Sequence, residues 1–110
     1  MTTISTEKNL VTLINVFTVT LENQQRLVDL LVEATQSVIR NQPGYISANI
    51  HKSLDGTRVT NYAQWRSQAE YEAMLNNPEA LVHMRAASQL AISFEPHLYE
   101  VSFIDTIASS

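Results

Sequence analysis

The sequence predicts an α+β fold in which a four-stranded antiparallel sheet carries helices on one face. Segments of period-two alternation flank segments of helical periodicity, Pro-Gly and Asp-Gly pairs mark turns, and the elements follow the order β-α-β-β-α-α-β. The chain has 110 residues, of which 45% are hydrophobic and 16% are charged, so it suits one domain with a buried core. This order is typical of a ferredoxin-like sandwich.

The first strand, predicted over residues 10–20, carries apolar side chains on both faces. Asn15 lies among apolar residues on one face, and Ile14 and Val16 lie on the other. Helices would cover one face of the sheet. The apolar content of the second face, to which Tyr62 would add, predicts a partner, because monomers rarely expose such a patch. A second copy is the simplest partner, so we expect a homodimer.

Residues 23–40 predict the first helix, with Asn23 as its N-cap. Apolar residues recur there at i, i+3 and i+4 spacing and form one stripe. The stripe consists of Leu27, Leu30, Leu31, Ala34 and Val38. The Pro43-Gly44 pair that follows suits the central positions of a type II turn.

A β-hairpin is predicted next, with strands over 45–53 and 58–65. Its first strand alternates between an apolar and a polar face. The apolar face holds Ile46, Ala48 and Ile50, and the polar face holds Ser47, Asn49 and His51. The Asp55-Gly56 pair between the strands is typical of a primed two-residue turn.

Two helices and a strand complete the predicted order. Ser67 and Glu70 form an S-x-x-E capping box at the start of a short helix. Asn77 is the expected cap of a second helix over 78–93, which has Pro at its first position. The last strand is predicted over 97–107.

The chain divides into a flexible leader over 1–9, a single domain over 10–106 and a tail over 107–110. The leader lacks the basic and apolar regions of a secretory signal, so we expect a cytoplasmic protein without a membrane partner. The net charge is −4 without a basic cluster, which disfavours nucleic acid as a partner. Cysteine is absent, which excludes disulfides and thiol catalysis, and no histidine pattern has metal-ligand spacing.

The segment NYAQWRS places three side chains on one strand face. Asn61, Ala63 and Trp65 alternate onto that face, with Asn61 and Trp65 about 13 Å apart at ~3.3 Å per residue. An amide and an indole N–H on either side of a small residue can hold a carbonyl or phenolate oxygen of a planar ligand. The alternative, favoured by geometry alone, is a core Trp65 and a hydrogen-bonded buried Asn61.

Tyr71 and Arg85 are further candidates on the two later helices. Tyr71 shares a helical stripe with Met74 and Leu75, so it belongs either to the core or to a cavity in which its hydroxyl exchanges a proton. Arg85 lies on an alanine-rich face and must reach an anion or extend to solvent, because burying it unpaired is costly.

The spacing Asn61-x3-Trp65-x5-Tyr71-x13-Arg85 and the segment QPGYISANIHKSLDGTRVTNYAQWRS resemble the antibiotic biosynthesis monooxygenase family, including its quinone-forming members. The resemblance implies a dimeric α+β barrel that oxidises a phenolic or anthrone-type aromatic to a quinone. Dioxygen would react with a substrate carbanion, without metal, flavin or haem. The resemblance also implies that Asn61 and Trp65 bind the substrate oxygen and stabilise the enolate. Tyr71 would hydrogen-bond the substrate, and Arg85 would assist the proton transfer that expels water.

Three alternatives stay open. Haem-degrading relatives use an Asn on the first strand, where Asn15 lies, together with a Trp and a His on the later helices. Here Met74 and Met84 take those two helical positions. His83 is one residue away, which places it about 100° around the helix. An isomerase, or a handler of small oxygenated metabolites, could use the same fold and the same carbon-acid ionisation without oxygen. A non-catalytic dimeric binding module would have a plugged pocket and Arg85 paired outward.

Overall fold

The computed structural model describes residues 2–6 and 10–107, so residues 1, 7–9 and 108–110 of the predicted leader and tail lie outside it. The strands are β1 (Val11–Thr18), β2 (Tyr45–Lys52), β3 (Arg58–Trp65) and β4 (Ser93–Tyr99). The helices are α1 (Gln24–Ser37), α2 (Gln68–Leu75) and α3 (Pro78–Leu90), with a 3-10 turn at Ile39–Asn41. The sheet order is β2-β3-β1-β4 with antiparallel neighbours throughout, which confirms the predicted ferredoxin-like α+β fold.

The helices pack on one face of the sheet over two clusters of buried side chains. One cluster is centred on Trp65 and Tyr71, and the other on Phe17 and Leu27. The predicted stripe of α1 faces this core, since three of its members are buried. They are Leu27, Ala34 and Val38.

Part of the predicted leader crosses the second face of the sheet. Thr2 Oγ1 donates a hydrogen bond to Asn49 Oδ1 at 2.8 Å. Gln64 Nε2 donates to the Thr3 carbonyl at 2.7 Å, and Gln64 is buried. The start of the chain is therefore hydrogen-bonded to β2 and β3.

The helix caps follow the sequence at two of three predicted positions. Ser67 Oγ accepts the Glu70 backbone N–H at 3.1 Å, and Asn77 Oδ1 accepts two backbone N–H groups at 2.9 and 3.2 Å. Asn23 makes no side-chain cap. Its Nδ2 instead donates to the Leu90 carbonyl at 3.3 Å, which ties the start of α1 to the end of α3.

A β-bulge in β2 changes the predicted alternation. Tyr45 pairs with Trp65, and the register shifts between Tyr45 and Ser47. Ile46 is the extra residue and is exposed, so the predicted regular alternation holds for Ala48 and Ile50 but is interrupted at Ile46. A bulge re-aims neighbouring side chains, and here it places the Tyr45 ring 5.8 Å from the Trp65 ring, between centroids.

The hairpin turn also differs from its prediction. Gly56 has a positive φ of 82°, whereas Asp55 does not, and Gly56 N–H donates to the Ser53 carbonyl at 3.2 Å. A primed type I′ turn requires positive φ at both central residues. The connection is therefore a longer turn that ends in a left-handed glycine.

The last strand begins four residues before its predicted start. β4 pairs with β1 from Ser93 to Tyr99 and contains Pro96, and residues 100–107 form no regular element. Because β4 is an edge strand, it tolerates a proline that a central strand would reject.

The predicted Pro43-Gly44 turn leads to a test of stability. Tyr45 N–H closes the turn on the Gln42 carbonyl at 3.2 Å, and Gly44 has φ 85°. A Cβ added at Gly44 would lie 2.6 Å from Glu70 Cβ. We expect Gly44→Ala to lower the free energy of unfolding in urea by about 2–4 kcal/mol, because backbone strain and a clash add.

Gly56→Ala is the matched control for that variant. Gly56 also has positive φ, but its added Cβ would meet only the end of the exposed Leu21 side chain, which can move away. We expect a smaller loss of about 1–2 kcal/mol from backbone strain alone. Equal losses in the two variants would contradict the proposed contact between the turn and α2.

Candidate functional site

A cavity of about 100 Å³ lies between the sheet and the three helices. Most of its wall is apolar and comes from β1, β4 and all three helices. Its polar members are Asn15, Asn61, Tyr71, His83 and Ser88. Small-molecule sites are typically apolar clefts with a few convergent polar groups, which this cavity matches in character.

The mouth of the cavity lies between α3 and β4. Met84 and Ser88 on α3 and Phe94 on β4 line the cavity and are also exposed. Ligands would therefore enter past these three side chains.

Asn15 and Asn61 form a polar pair on the floor of the cavity. They are register partners on β1 and β3, and they interrupt the apolar helix face between the two core clusters. The Oδ1 atom of each is buried and has no hydrogen-bond partner within the described residues. An unpaired buried oxygen costs about 1–3 kcal/mol, so two neighbouring ones indicate a place for a ligand that donates hydrogen bonds.

Tyr71 contributes a phenol to the same wall. Its side chain is buried, and burial raises its pKa, with a smaller contribution from the Glu72 carboxylate. The hydroxyl is therefore protonated at neutral pH and can donate to a substrate oxygen.

Trp65 lies one layer behind the cavity wall. It shares the helix face of β3 with Asn61, as predicted, but only 1% of its surface is exposed, and it is not among the wall residues. Its ring packs edge-on against Tyr71 at 6.0 Å and against Tyr45 at 5.8 Å, between centroids. In this arrangement Trp65 fixes the position of the Tyr71 ring.

Arg85 lies beside the mouth rather than in the wall. Its side chain is exposed, whereas its helical neighbours Met84 and Ser88 line the cavity. Ser88 Oγ donates to the Arg85 carbonyl at 2.7 Å. The structure therefore brings Asn61 and Tyr71 to the cavity, places Trp65 behind it and leaves Arg85 outside.

His83 is a wall residue that the sequence suggested only as a displaced haem ligand. Its Nδ1 lies 3.1 Å from the Glu79 carbonyl one turn earlier on α3. The signal was present in the sequence, because Ala80, His83, Met84 and Ala87 follow i, i+3, i+4 and i+7 spacing. Ala80 and Ala87 are buried, so His83 belongs to the inward stripe of α3.

Residues 2–6 and 10–107 contain no group of three or more His, Cys, Asp or Glu side chains that could hold a metal ion. Within the same ranges, none of the helices has the length and apolar character needed to cross a membrane.

Solved structures share this architecture. A monooxygenase from the gene ActVA-Orf6 of Streptomyces coelicolor, in complex with nanaomycin D, is 28% identical with a TM-score of 0.78, over 91% of this chain and 93% of that chain. A variant of SnoaB, described as a cofactor-independent oxygenase from Streptomyces nogalater, has a TM-score of 0.76 at 20% identity, over 92% and 99% of the two chains. The second likeness shows the fold alone.

Sequence comparison gives the family. Tetracenomycin-F1 monooxygenase of Streptomyces glaucescens is 49% identical over 83 residues, which cover 76% of this chain and 74% of that protein. A family profile described as antibiotic biosynthesis monooxygenase matches residues 10–86, which is most of the chain. These matches confirm the expectation of a monooxygenase, and the chain belongs to the antibiotic biosynthesis monooxygenase family.

Proposed function

We propose that the protein is a cofactor-independent monooxygenase that converts a phenolic or anthrone-type aromatic into a quinone, with dioxygen as co-substrate. The Asn15–Asn61 pair carries the proposal, because both amides line the cavity and keep a buried oxygen unpaired within the described residues. An amide both accepts and donates hydrogen bonds. The pair could therefore accept from a substrate hydroxyl and donate to the carbonyl that becomes the enolate oxygen.

The named relatives support the proposed substrate class. One is named for tetracenomycin F1, one is in complex with nanaomycin D, and SnoaB is described as cofactor-independent. We propose that this protein likewise binds a small aromatic substrate and reacts without metal, flavin or haem. The described residues supply donors for an oxyanion in a mostly apolar cavity, which suits this chemistry.

The reaction begins with ionisation of a carbon acid. An anthrone loses a proton from its methylene carbon, and the negative charge spreads to the carbonyl oxygen held by Asn61 and Asn15. The carbanion passes an electron to dioxygen, and the radical pair closes a carbon–oxygen bond. Loss of the second methylene proton and cleavage of the oxygen–oxygen bond release water and leave a quinone carbonyl.

The other predicted residues have supporting roles in this proposal. Tyr71 donates a hydrogen bond to the substrate. Trp65, which the resemblance implies binds the substrate oxygen, acts here through the Tyr71 ring that it contacts. Arg85 assists the proton transfer that expels water by reaching into the mouth from its exposed position.

The size of the cavity requires the mouth to widen when substrate binds. Its volume of about 100 Å³ is below the ~300–1,000 Å³ of ordinary ligand pockets. Met84 and Phe94 are partly exposed at the mouth, and Met74 lines the interior. Methionine side chains adapt readily, so these residues can make room for a fused-ring guest.

We also propose that the protein forms a homodimer through the second sheet face. Ile14, Val16 and Tyr62 on that face are only half-buried in the single chain. A second copy would remove their apolar surface from water.

Oxygen uptake with 1,8-dihydroxyanthrone, without added cofactor, tests the function. We expect one dioxygen consumed per quinone formed, and no quinone under anaerobic conditions. Arg85→Gln should lower turnover about tenfold, below the roughly 10²–10⁴-fold of a fully engaged acid–base group. Arg26→Gln is the control, because Arg26 is exposed on α1 and does not line the cavity. Turnover of an aromatic carbon acid that continues without oxygen would replace the monooxygenase with an isomerase.

A further inference from the structure

We propose that His83 is the general base that removes the proton from the substrate carbon. The inference rests on the proposed function and supplies the group that starts its reaction, which the four predicted residues leave unassigned. Three observations carry it: the composition of the cavity wall, the hydrogen bond of the imidazole and its position opposite the asparagine pair.

Among the described residues that line the cavity, His83 is the one side chain suited to accept a proton. The asparagine amides and the Ser88 hydroxyl are not bases under these conditions. Tyr71 is the other titratable group of the wall, and burial raises its pKa, so it remains a phenol. Imidazole is the side chain that serves most often as a general base.

The hydrogen bond of His83 selects the tautomer that a base requires. Nδ1 lies 3.1 Å from the Glu79 carbonyl, and a carbonyl can only accept, so the bonded Nδ1 carries the hydrogen. In the neutral ring Nε2 then keeps its lone pair free to accept a proton.

The imidazole and the amides enclose the cavity from different sides. His83 comes from α3, whereas Asn15 and Asn61 come from the strands beneath. A planar guest between them would have its oxygen on the amides and an acidic carbon toward the imidazole. The imidazole then removes the proton from the carbon while the amides stabilise the negative charge that develops on the oxygen.

The charged surroundings of His83 are sparse. The other elements contribute uncharged side chains to the wall: Leu31 and Ala34 from α1, Met74, Leu75 and protonated Tyr71 from α2, and amides or apolar groups from the strands. On α3 itself, Glu79 and Arg85 are the charged neighbours, and both are exposed. No charged side chain among the described residues of the wall therefore competes with His83 for the proton.

The proton balance closes with His83 unchanged. Nε2 takes the first methylene proton and returns it to the peroxide formed with dioxygen. Nε2 then takes the second proton as the oxygen–oxygen bond breaks, and that proton joins the departing hydroxide to give water. The substrate carbon is oxidised, dioxygen is reduced, and one oxygen atom stays in the quinone.

His83→Gln tests the proposal, with His51→Gln as its matched control. His51 is exposed on β2, and its Nδ1 also lies 3.1 Å from a backbone carbonyl, that of Asn49. With 1,8-dihydroxyanthrone we expect His83→Gln to lower kcat about 10²-fold with little change in KM. His51→Gln should retain the rate of the wild type.

Chemical rescue distinguishes a base from a structural role. His83→Ala leaves space in the wall, so added imidazole should restore turnover in proportion to its neutral form. Equal rates in wild type and His83→Gln, or a slow His83→Ala that imidazole does not accelerate, would overturn the assignment.

An anaerobic measurement separates this inference from the proposed function. Mixing enzyme with the anthrone without oxygen should form the coloured carbanion in wild type and much less in His83→Gln. Carbanion formation that is lost in His83→Gln, without oxygen uptake by wild type in air, would refute the monooxygenase and still support His83 as base. Oxygen uptake with carbanion formation unaffected by His83→Gln would refute His83 alone.

Discussion

Replacing Asn61 with Leu is expected to abolish most turnover and to make the protein more stable. The Oδ1 atom of Asn61 is buried and unpaired among the described residues, and such an atom costs about 1–3 kcal/mol. A leucine of similar size removes that cost, so the free energy of unfolding in urea should rise by about 1 kcal/mol. Loss of an oxyanion donor should lower kcat by roughly 10²–10³-fold, measured by oxygen uptake.

We expect Asn49→Leu to have the opposite effects on stability and turnover from Asn61→Leu. Asn49 lies on β2, where its Nδ2 donates to the Tyr62 carbonyl at 3.0 Å and its Oδ1 accepts from Thr2. Because these hydrogen bonds are made, the variant should lose stability while keeping the turnover of wild type. An Asn61→Leu protein that is less stable and fully active would show that the amide serves the core alone.

Trp65→Ala is expected to have the largest effect on folding. The indole is among the most deeply buried large side chains, and it packs against both Tyr45 and Tyr71. Removing a buried Trp typically costs about 3–5 kcal/mol, a large part of the ~5–15 kcal/mol of an ordinary domain. Urea unfolding should show this loss, and a change below 1 kcal/mol would contradict the packing.

Trp65→Phe tests how Trp65 affects catalysis. We expect the variant to stay folded with reduced turnover, because a smaller ring holds Tyr71 less firmly. If Trp65 acts through Tyr71, the losses of Trp65→Phe and Tyr71→Phe will not add in the double variant. Additive losses would instead show that the indole contacts the substrate directly.

The fold was largely predictable because each element has a strong local signal. The stripe of α1 and the caps at Ser67 and Asn77 all lie where the sequence places them. The errors occur where tertiary context overrides the local pattern. Pro96 indicates a break until the edge position of β4 is known, and the exposed Ile46 resembles a core residue until the bulge is seen.

The site was predictable only in part, because spacing identifies a face but not depth. Asn61 and Trp65 share a strand face, yet four residues of separation place the amide on the cavity floor and the indole in the cluster behind. The role of Asn15 depends on its cross-strand partner Asn61, and only the register between β1 and β3 shows that the two residues are paired. To predict His83 as a wall residue from the sequence, the inward stripe of α3 would have to be extended through a polar residue.

The β-bulge in β2 accommodates one extra residue without disturbing the pairs on either side of it, because Tyr45 and Ser47 lie opposite the successive residues Trp65 and Gln64. Deleting Ile46 would therefore give a regular ladder in which every remaining side chain keeps its side of the sheet. The contact between Tyr45 and Trp65 would survive the deletion. A one-residue gap at this point in an aligned relative is therefore compatible with an interior of the same shape.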